Sequence, residues 1–304
     1  MVRTLQLSDG KQIPAIGWGN GTGGLEDSGE KAINTGKIVL ESGILHIDTA
    51  QWYKTETETG AAIKAAGIPR EKVWITTKIS ANSVAAEATT AANIRQSVVE
   101  SLERLGTKPD LLLIHNPYVP KEGTIAQFWT YLEDLVLDGT LEGVSLGVSN
   151  FRPQDLETVL KVARIKPVAN QLEFHPYVLA QYERDLFPLQ AQHGIVTQAY
   201  GPLTPILRHK TGGPLKPVLE RLAARIGTDV ASVLLLWTIQ KGVSPITSSS
   251  NPVNIKKIAA VNELPDLTAQ DIADIDAAGK QVHFRYYAEH MSKEYPAPNL
   301  PTDV

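Results

Sequence analysis

The 304-residue sequence contains no cysteine. This absence excludes a disulfide framework, a thiolate metal site and a cysteine nucleophile. Aromatic residues make up only 6% of the chain, and no apolar run approaches the roughly 18 residues typical of a membrane-spanning helix. The N-terminal residues also lack the apolar core of a secretory signal. We therefore expect a cytoplasmic protein that does not enter a membrane.

Positive charge is not in excess either, since 29 Lys and Arg face 33 Asp and Glu, for a net charge of −4. A balance of this kind disfavours binding to nucleic acid by bulk charge. No His-x-His pair occurs, which disfavours a metal-dependent hydrolase, and we expect no metal site. With 42% hydrophobic and 20% charged residues, the composition excludes a disordered chain. We expect a monomer or weak dimer that acts on a small molecule.

Short apolar runs rich in β-branched residues recur eight times, about 33 residues apart, and helical patterns lie between them. The runs cover residues 15–18, 44–47, 73–77, 111–114, 144–148, 168–172, 195–199 and 243–246. The helical patterns cover residues 30–40, 57–66, 94–105, 132–136, 156–163, 182–193, 219–226, 230–240, 254–261 and 271–279. Eight βα units in about 250 residues predict an α/β fold, a (β/α)8 TIM barrel, and a doubly wound sheet is the alternative.

No break in composition divides the chain, so the sequence predicts one domain over residues 1–304. Residues 1–13 are predicted to form an N-terminal β-hairpin around Ser8-Asp9-Gly10. Residues 201–217 are rich in Pro and Gly and predict a long loop. Residues 280–304 form a tail without periodicity, expected to lie over the site.

Two glycine motifs suggest other functions. Gly19-x-Gly21-x-x-Gly24 formally matches the dinucleotide fingerprint, but no helix begins inside it and no acidic residue ends a strand near position 40. A flexible loop is the preferred interpretation.

Gly143-x-Ser145-x-Gly147 formally matches the hydrolase nucleophile elbow. Ser145 lies inside an apolar run rather than at a strand-to-helix turn, so a serine esterase remains only an alternative.

Four ionisable residues lie at or just beyond the ends of consecutive predicted strands. Asp48 follows a run that ends at Ile47, Tyr53 comes five residues later, and Lys78 and His115 end the next two runs. Because the carboxyl ends of barrel strands meet at one face, we expect these side chains to lie together.

The residues around these positions resemble the aldo-keto reductases over nearly the whole chain. The resemblance rests on His46-Ile47-Asp48-Thr49-Ala50 with Tyr53, Thr77-Lys78, Leu113-Ile114-His115-Asn116-Pro117, Gly147-Val148-Ser149-Asn150, Asn170-Gln171-Leu172-Glu173-Phe174-His175-Pro176, Ala199-Tyr200-Gly201-Pro202-Leu203 and 235–242. The run Thr247-Ser248-Ser249-Ser250 is most similar to the fungal branch of ketoamide and conjugated-polyketone reductases.

The resemblance implies an NADP-dependent oxidoreductase that reduces aldehydes or ketones to alcohols. Asp48, Tyr53, Lys78 and His115 would form the catalytic tetrad, with Tyr53 as proton donor. The cofactor residues implied are Gly19, Asn20, Gly21, Ser149, Asn150, Gln171, Tyr200, Gly201, Pro202, Leu203, Thr247, Ser248, Ser249 and Asn254. Ser149, Asn150 and Gln171 would hold the carboxamide, while Tyr200 would stack on the nicotinamide through its ring rather than its hydroxyl.

Elementary chemistry supports the tetrad independently. Reduction of a carbonyl needs hydride at carbon and a proton at oxygen, and tyrosine keeps its proton at neutral pH because its ordinary pKa is about 10. We expect the ammonium of Lys78 to lower the pKa of Tyr53, and Asp48 to keep Lys78 charged.

The chain departs from many family members in its expected substrate pocket, formed by Trp52, Asn116 and Tyr118. Asn116 replaces a Trp after the histidine, and Ser80 replaces a large aromatic two residues after the lysine. These changes predict a roomier, more polar pocket, compatible with α-dicarbonyls, α-keto esters or α-keto amides.

The cofactor loop also departs, because Ser248 and Asn254 stand where many members carry Lys and Arg. The hydroxyl groups of residues 247–250 still suit a phosphate, so we expect NADPH to be preferred, with NADH usable.

A barrel that binds a nucleotide without turnover is a further alternative for the function of the protein.

Overall fold

The computed structural model describes residues 2–22, 24–209 and 211–287. After two short N-terminal strands, β1 (Thr4–Gln6) and β2 (Gln12–Pro14), the chain forms eight parallel strands. They are β3 (Gly17–Gly19), β4 (His46–Asp48), β5 (Trp74–Ile79), β6 (Leu111–Ile114), β7 (Ser145–Ser149), β8 (Ala169–Glu173), β9 (Val196–Tyr200) and β10 (Ser244–Thr247). These eight strands close into a barrel in the order β10-β3-β4-β5-β6-β7-β8-β9. The predicted (β/α)8 barrel is confirmed, and the predicted strand starts lie within two residues of the observed ones.

The strands form a barrel because both of their faces are covered. In β4, β5, β6, β7, β8 and β10 every residue is buried, which explains the nearly unbroken apolar runs in the sequence. Lys78 lies opposite Leu113 in the ladder between β5 and β6, and Ser149 lies opposite Gln171 between β7 and β8. This register brings the polar carboxyl ends of the strands to one rim of the barrel.

Helices cover the outside of the barrel and alternate with its strands. Within the part of the chain that the structure describes they are α1 (Glu30–Glu41), α2 (Glu56–Ala66), α3 (Val84–Glu87), α4 (Ala91–Leu105), α5 (Ile125–Leu137), α6 (Pro153–Leu160), α7 (Leu179–Arg184), α8 (Leu186–His193), α9 (Thr204–Leu207), α10 (Leu215–Ile226), α11 (Val230–Gln240), α12 (Pro252–Ala260) and α13 (Ala269–Gly279). Short 3-10 turns occupy Gln51–Tyr53, Arg70–Lys72, Pro176–Val178 and Val261–Glu263.

Two predicted segments are wrong. Residues 182–193 form two helices, α7 and α8, that meet at Asp185, whose backbone leaves the helical region at φ −142°. Pro188 explains the break, because a proline has no N–H and its ring collides with the carbonyl four residues earlier. The predicted loop at 201–217 contains the short helix α9, and α10 begins inside it at Leu215.

The N-terminal hairpin is confirmed as β1 (Thr4–Gln6) and β2 (Gln12–Pro14), which pair antiparallel. Its turn lies at the amino end of β7, where the Ser145 hydroxyl donates to Asp9 Oδ2 at 2.5 Å and accepts from Lys11 Nζ at 2.8 Å. The hairpin therefore occupies the end of the barrel opposite the carboxyl ends of the strands.

Among the described residues, no single helix is long and apolar enough to cross a membrane. Two helices, α10 and α11, pass such a test only when joined, and they are bent by 94° at the break between them.

The beginning of the predicted tail reaches the carboxyl rim of the barrel. Glu173 is fully buried at the end of β8, and its carboxylate accepts the backbone N–H of Tyr286 at 2.8 Å and of Tyr287 at 3.0 Å. The ring of Tyr287 packs edge-on against Tyr200, with 5.3 Å between ring centres. Residues 288–304 of the predicted tail lie outside the described residues.

Candidate active site

A cavity of about 1020 Å³ opens at the carboxyl ends of the barrel strands. It is lined by residues from almost every strand end and from the loops beyond them. The lining is Gly19, Gly21, Thr22, Glu26, Asp48, Trp52, Tyr53, Ser80, Ala81, His115, Asn116, Ser149, Asn150, Gln171, Tyr200, Gly201, Pro202, Leu203, Thr204, Leu207, Arg208, Ile246, Thr247, Ser248, Ser249, Ser250 and Tyr287.

A buried ion pair forms the floor of this cavity. Lys78 is fully buried on β5, and its Nζ donates to Asp48 Oδ1 at 2.5 Å and to the carbonyl oxygen of Thr49 at 2.9 Å. The second carboxylate oxygen of Asp48 accepts a hydrogen bond from Gln171 Nε2 at 2.7 Å. Both charged groups therefore have several polar partners, as buried charges require.

Tyr53 and His115 lie over this pair. The 3-10 turn Gln51–Tyr53 presents the tyrosine, and Lys78 Nζ lies 4.9 Å from the centre of its ring. The Tyr53 hydroxyl lies 3.4 Å from Nε2 of His115, the first residue after β6. The structure thus brings together the four side chains that the sequence selected for the tetrad.

The protonation state of Tyr53 follows from its surroundings. Burial, and then the nearby Asp48 carboxylate, raise the pKa of Tyr53 well above its ordinary value. This direction is opposite to the one expected from the sequence, because desolvation and a negative charge both disfavour the phenolate. Tyr53 consequently keeps its proton at neutral pH. Burial also lowers the pKa of Lys78, while Asp48 acts in the opposite direction.

Gly21 has no side chain, and the Tyr53 ring occupies the space that a side chain at this position would need. A Cβ atom at position 21 would lie 2.3–2.5 Å from three ring carbons of Tyr53. Heavy atoms in contact are normally about 3.5–4.0 Å apart, so any side chain here would displace the ring. The glycine-rich loop after β3 therefore makes room for the Tyr53 ring.

Polar side chains from three adjacent strand ends form one wall of the cavity. Asn150 has a left-handed backbone with φ 59°, which asparagine tolerates better than most residues. Its Oδ1 accepts from the Tyr200 hydroxyl at 2.7 Å, and its Nδ2 donates to Ser149 Oγ at 3.1 Å. Gln171 donates to Asp48 and, at 3.2 Å, to Gln198 Oε1. This wall offers a hydroxyl and two amides, a set that suits a carboxamide.

The hydrogen bond of Tyr200 changes the expected effect of its substitution. Stacking alone would make Tyr200→Phe nearly silent, but loss of the bond to Asn150 frees the amide that would face the carboxamide. We expect Tyr200→Phe to weaken cofactor binding about twofold to tenfold, the range for one neutral hydrogen bond. We expect Tyr200→Ala to weaken it about tenfold or more, because the stacking surface is also lost.

Titration of the two Tyr200 variants with cofactor, followed by protein fluorescence, measures both dissociation constants. Equal affinities of wild type and Tyr200→Phe would show that the hydroxyl has no role in binding.

Four predicted site residues do not line the cavity. The Asn20 side chain is buried and donates to Thr59 Oγ1 at 3.3 Å. Tyr118 is 56% exposed, and the Arg152 guanidinium lies 5.7 Å from its ring centre. Asn254 is exposed on α12. Lys78 also lies outside the lining, because it is buried beneath it. The remaining predicted residues, including Trp52 and Asn116, border the cavity.

Several lining residues were not selected from the sequence. Glu26 lies in the loop after β3, Arg208 follows α9, and Tyr287 lies at the end of the described tail. The Arg208 guanidinium lies 4.6 Å from the ring centre of Tyr286. The aromatic pair Tyr286-Tyr287 was the available signal, but its position over β8 depends on the buried carboxylate of Glu173.

Ser145 lies at the amino end of β7, bonded to the hairpin turn. Because this position is at the opposite end of the barrel from the cavity, we expect Ser145→Ala to keep carbonyl reduction within about threefold of wild type, as for substitutions away from a site. Steady-state assays with one carbonyl substrate test this expectation. Loss of all activity would instead support the hydrolase interpretation.

The cavity also suits a nicotinamide dinucleotide at residues other than Tyr53, His115 and the polar wall. Ser248 Oγ is buried against the lining, and no described residue forms a hydrogen bond with it. An orphaned hydroxyl of this kind suits an acceptor oxygen supplied by a ligand.

The sequence profile of the aldo/keto reductase family matches residues 16–280. An NAD/NADP-dependent indole-3-acetaldehyde reductase of Schizosaccharomyces pombe is 34% identical over 93% of this chain and 98% of its own length. An NADPH-dependent alpha-keto amide reductase of Saccharomyces cerevisiae is 31% identical over 90% of this chain and 89% of its own. A glyoxal reductase of Bacillus subtilis is 35% identical over 91% of this chain and 93% of its own.

Solved structures show the same likeness. An aldo/keto reductase from Brucella melitensis superposes with a TM-score of 0.78 at 32% identity, covering 91% of this chain and all of its own. A Bombyx mori aldo-keto reductase in complex with NADP gives a TM-score of 0.77 at 28% identity, covering 91% and 93%. The family profile, the relatives and the barrel agree, and this chain belongs to the aldo/keto reductase family, whose members are oxidoreductases that use a nicotinamide cofactor.

Proposed function

We propose that this protein is an NADPH-dependent carbonyl reductase that converts small aldehydes or ketones to alcohols, with Tyr53 as proton donor. The observation that carries the proposal is the position of the Tyr53 hydroxyl, 3.4 Å from His115 Nε2 and beside the buried Lys78–Asp48 pair. A protonated phenol and an imidazole both face one cavity, where a carbonyl oxygen can contact both.

Each residue of the site has a separate role in the proposed reaction. When bound, a reduced nicotinamide supplies the hydride that adds to the carbonyl carbon. The Tyr53 O–H bond breaks and its proton passes to the carbonyl oxygen, which becomes the alcohol hydroxyl. The ammonium of Lys78 stabilises the tyrosinate that remains, and Asp48 keeps that ammonium charged. Ser149, Asn150 and Gln171 would hold the carboxamide, and Tyr200 would pack on the ring.

The lining supports a small, polar carbonyl substrate. Ser80 and Asn116 occupy wall positions where the family resemblance predicts bulky aromatic side chains. Trp52 contributes an aromatic surface that is 59% exposed. We therefore propose α-dicarbonyls, α-keto esters and α-keto amides as substrates, in keeping with the glyoxal and alpha-keto amide reductases among its relatives.

A substrate panel with purified protein tests this function. We expect NADPH absorbance at 340 nm to fall with glyoxal, an α-keto ester and an α-keto amide, and not with the corresponding alcohols. Cleavage of an ester without any cofactor would support the serine esterase instead. Cofactor binding without turnover on any carbonyl would support a non-catalytic nucleotide-binding barrel.

The cofactor preference should be modest. Ser248 Oγ offers a hydrogen bond, but the ammonium of Lys257, on α12, pairs with Asp229 Oδ2 at 3.1 Å, and Lys257 does not line the cavity. Because the 2′-phosphate is ionised, a hydrogen bond from the Ser248 hydroxyl is a bond to a charged group, and it predicts that NADPH is favoured over NADH by about 10- to 150-fold.

The ratio of kcat/KM for NADPH and NADH, measured at low and high salt, tests this preference. Ser248→Ala should bring the ratio towards one, with kcat/KM for NADH as the internal reference. A wild-type ratio at or below one would contradict the preference, and a ratio above about 10⁴ would require cationic contacts worth several charged hydrogen bonds.

A further inference from the structure

We propose that Ser80 is a positioning residue that holds the His115 ring in the tautomer with its proton on Nε2, facing the substrate. The inference rests on the proposed carbonyl reduction and specifies how its histidine is prepared. It depends on a hydrogen bond between side chains at the ends of two neighbouring strands, β5 and β6.

The contact between Ser80 and His115 is short and shielded from solvent. Ser80 is 1% exposed, and its Oγ lies 2.7 Å from His115 Nδ1. The same hydroxyl can also donate to the carbonyl oxygen of Lys78, which lies 3.3 Å from Oγ. That distance exceeds the roughly 2.5–3.0 Å of an O–H···O bond, while the 2.7 Å contact with Nδ1 is shorter than the roughly 2.9–3.0 Å typical of an N–H donor. We therefore place the single hydroxyl proton in the contact with Nδ1.

Ser80 is itself fixed by a network outside the cavity. Its backbone N–H donates to Gln51 Oε1 at 2.9 Å. The Gln51 amide nitrogen in turn donates to Ser97 Oγ and Ser101 Oγ, both at 2.9 Å. These bonds tie the end of β5 to α4, so the Ser80 hydroxyl meets the imidazole from a defined direction.

The tautomer of His115 decides what the imidazole can do. A neutral imidazole carries one N–H, and the bond made by one nitrogen sets the role of the other. When Ser80 donates to Nδ1, the proton resides on Nε2, which lies 3.4 Å from the Tyr53 hydroxyl. A carbonyl oxygen accepts hydrogen bonds only, so it needs this N–H. The opposite tautomer would instead accept the Tyr53 proton and draw it away from the substrate.

The side chain at position 80 makes this arrangement specific to the chain. A large aromatic, which the family resemblance predicts two residues after the lysine, has no hydroxyl placed to donate to Nδ1. Ser80 therefore does more than widen the pocket.

Nitrogen NMR of protein labelled with 15N-histidine reads the tautomer without any turnover. The chain has 7 histidines, and a His115→Asn spectrum identifies the signals of residue 115. We expect wild type to show an unprotonated Nδ1 and a protonated Nε2, and Ser80→Ala to show a mixture of both tautomers. Ser80→Thr keeps the hydroxyl and should restore the wild-type pattern.

Kinetics of the same variants provide a second readout. We expect Ser80→Ala to lower kcat about 10- to 100-fold, by analogy with removal of the hydrogen-bond partner that orients a metal-bound histidine. Its cofactor dissociation constant should stay within about twofold, because Ser80 holds no cofactor group in this account. Ser83→Ala is the matched control, since the Ser83 hydroxyl donates to the carbonyl oxygen of Ser80 at 2.7 Å and leaves the Ser80 hydroxyl in place.

Three results would overturn the proposal: a wild-type spectrum with the proton on Nδ1, an unchanged tautomer in Ser80→Ala, or a kcat of that variant within twofold of wild type. If Ser80→Ala does not fold, the wild-type spectrum still decides the assignment. Failure of the proposed function would appear separately, as wild-type protein that consumes no NADPH with any carbonyl while the tautomer remains readable.

Discussion

We expect Tyr53→Phe to lower the turnover number for carbonyl reduction by about 10²–10⁴-fold, the usual contribution of a positioned general acid. The phenylalanine ring fills the same space beside Gly21, so the packing of the site is kept while the O–H bond that would supply the proton is lost. Because burial and Asp48 hold the pKa of Tyr53 above its ordinary value, the wild-type phenol is protonated throughout the neutral range.

The measurement is a single-turnover assay, in which chemistry rather than product release limits the rate. Cofactor affinity, titrated by fluorescence, serves as the control and should be nearly unchanged. A Tyr53→Phe enzyme that retains more than a tenth of wild-type turnover would remove Tyr53 from the role of proton donor.

The second large effect concerns the ion pair beneath the phenol. Lys78→Met should lower turnover by about 10²-fold or more, because the charge that stabilises a developing tyrosinate is lost. It should also lower the free energy of unfolding by about 3–5 kcal/mol, since the carboxylate of Asp48 would be left buried without its cation. Denaturant unfolding followed by circular dichroism measures the second effect.

A double variant separates these two consequences. The protein that carries both Lys78→Met and Asp48→Asn has a neutral amide in place of the buried, unpaired carboxylate. This amide can still accept the hydrogen bond from Gln171. We expect the double variant to recover a large part of the stability and none of the turnover. A double variant as unstable as Lys78→Met alone would indicate that packing of the lysine stem, rather than charge, stabilises the floor of the cavity.

Much of the barrel, and the closeness of the four side chains proposed as a tetrad, could be predicted from the sequence because the signals are local. Buried strands appear as apolar runs, and Asp48, Lys78 and His115 each end such a run, so the geometry of parallel strands places them together. The contacts of Asn20 and Tyr118 could not be predicted in the same way. Each residue lies beside a recognised motif, but its side chain turns towards a partner distant in sequence, Thr59 or Arg152.

The direction of the Tyr53 pKa shift could not be predicted from the sequence either. The sequence indicates which charged residues lie near Tyr53, but the sign of the shift depends on the balance between desolvation and charge. The hydroxyl of Tyr200 shows the same limit, because its bond to Asn150 exists only once β9 and the end of β7 lie at one rim. The role of Glu173 in holding Tyr286 and Tyr287 depends on a contact across 113 residues or more.

The contact between Gly21 and the Tyr53 ring has a practical consequence for directed evolution. The loop after β3 borders the cavity, so it is a natural target for libraries that aim to change substrate scope. Thr22 and Glu26 line the same cavity and can be varied in size and charge. Position 21 has no such freedom, because every other amino acid brings a Cβ into the tyrosine ring. A library that randomises the whole loop would therefore discard about 19 of every 20 clones at this one codon, when all amino acids are equally represented, for a reason unrelated to the substrate being selected.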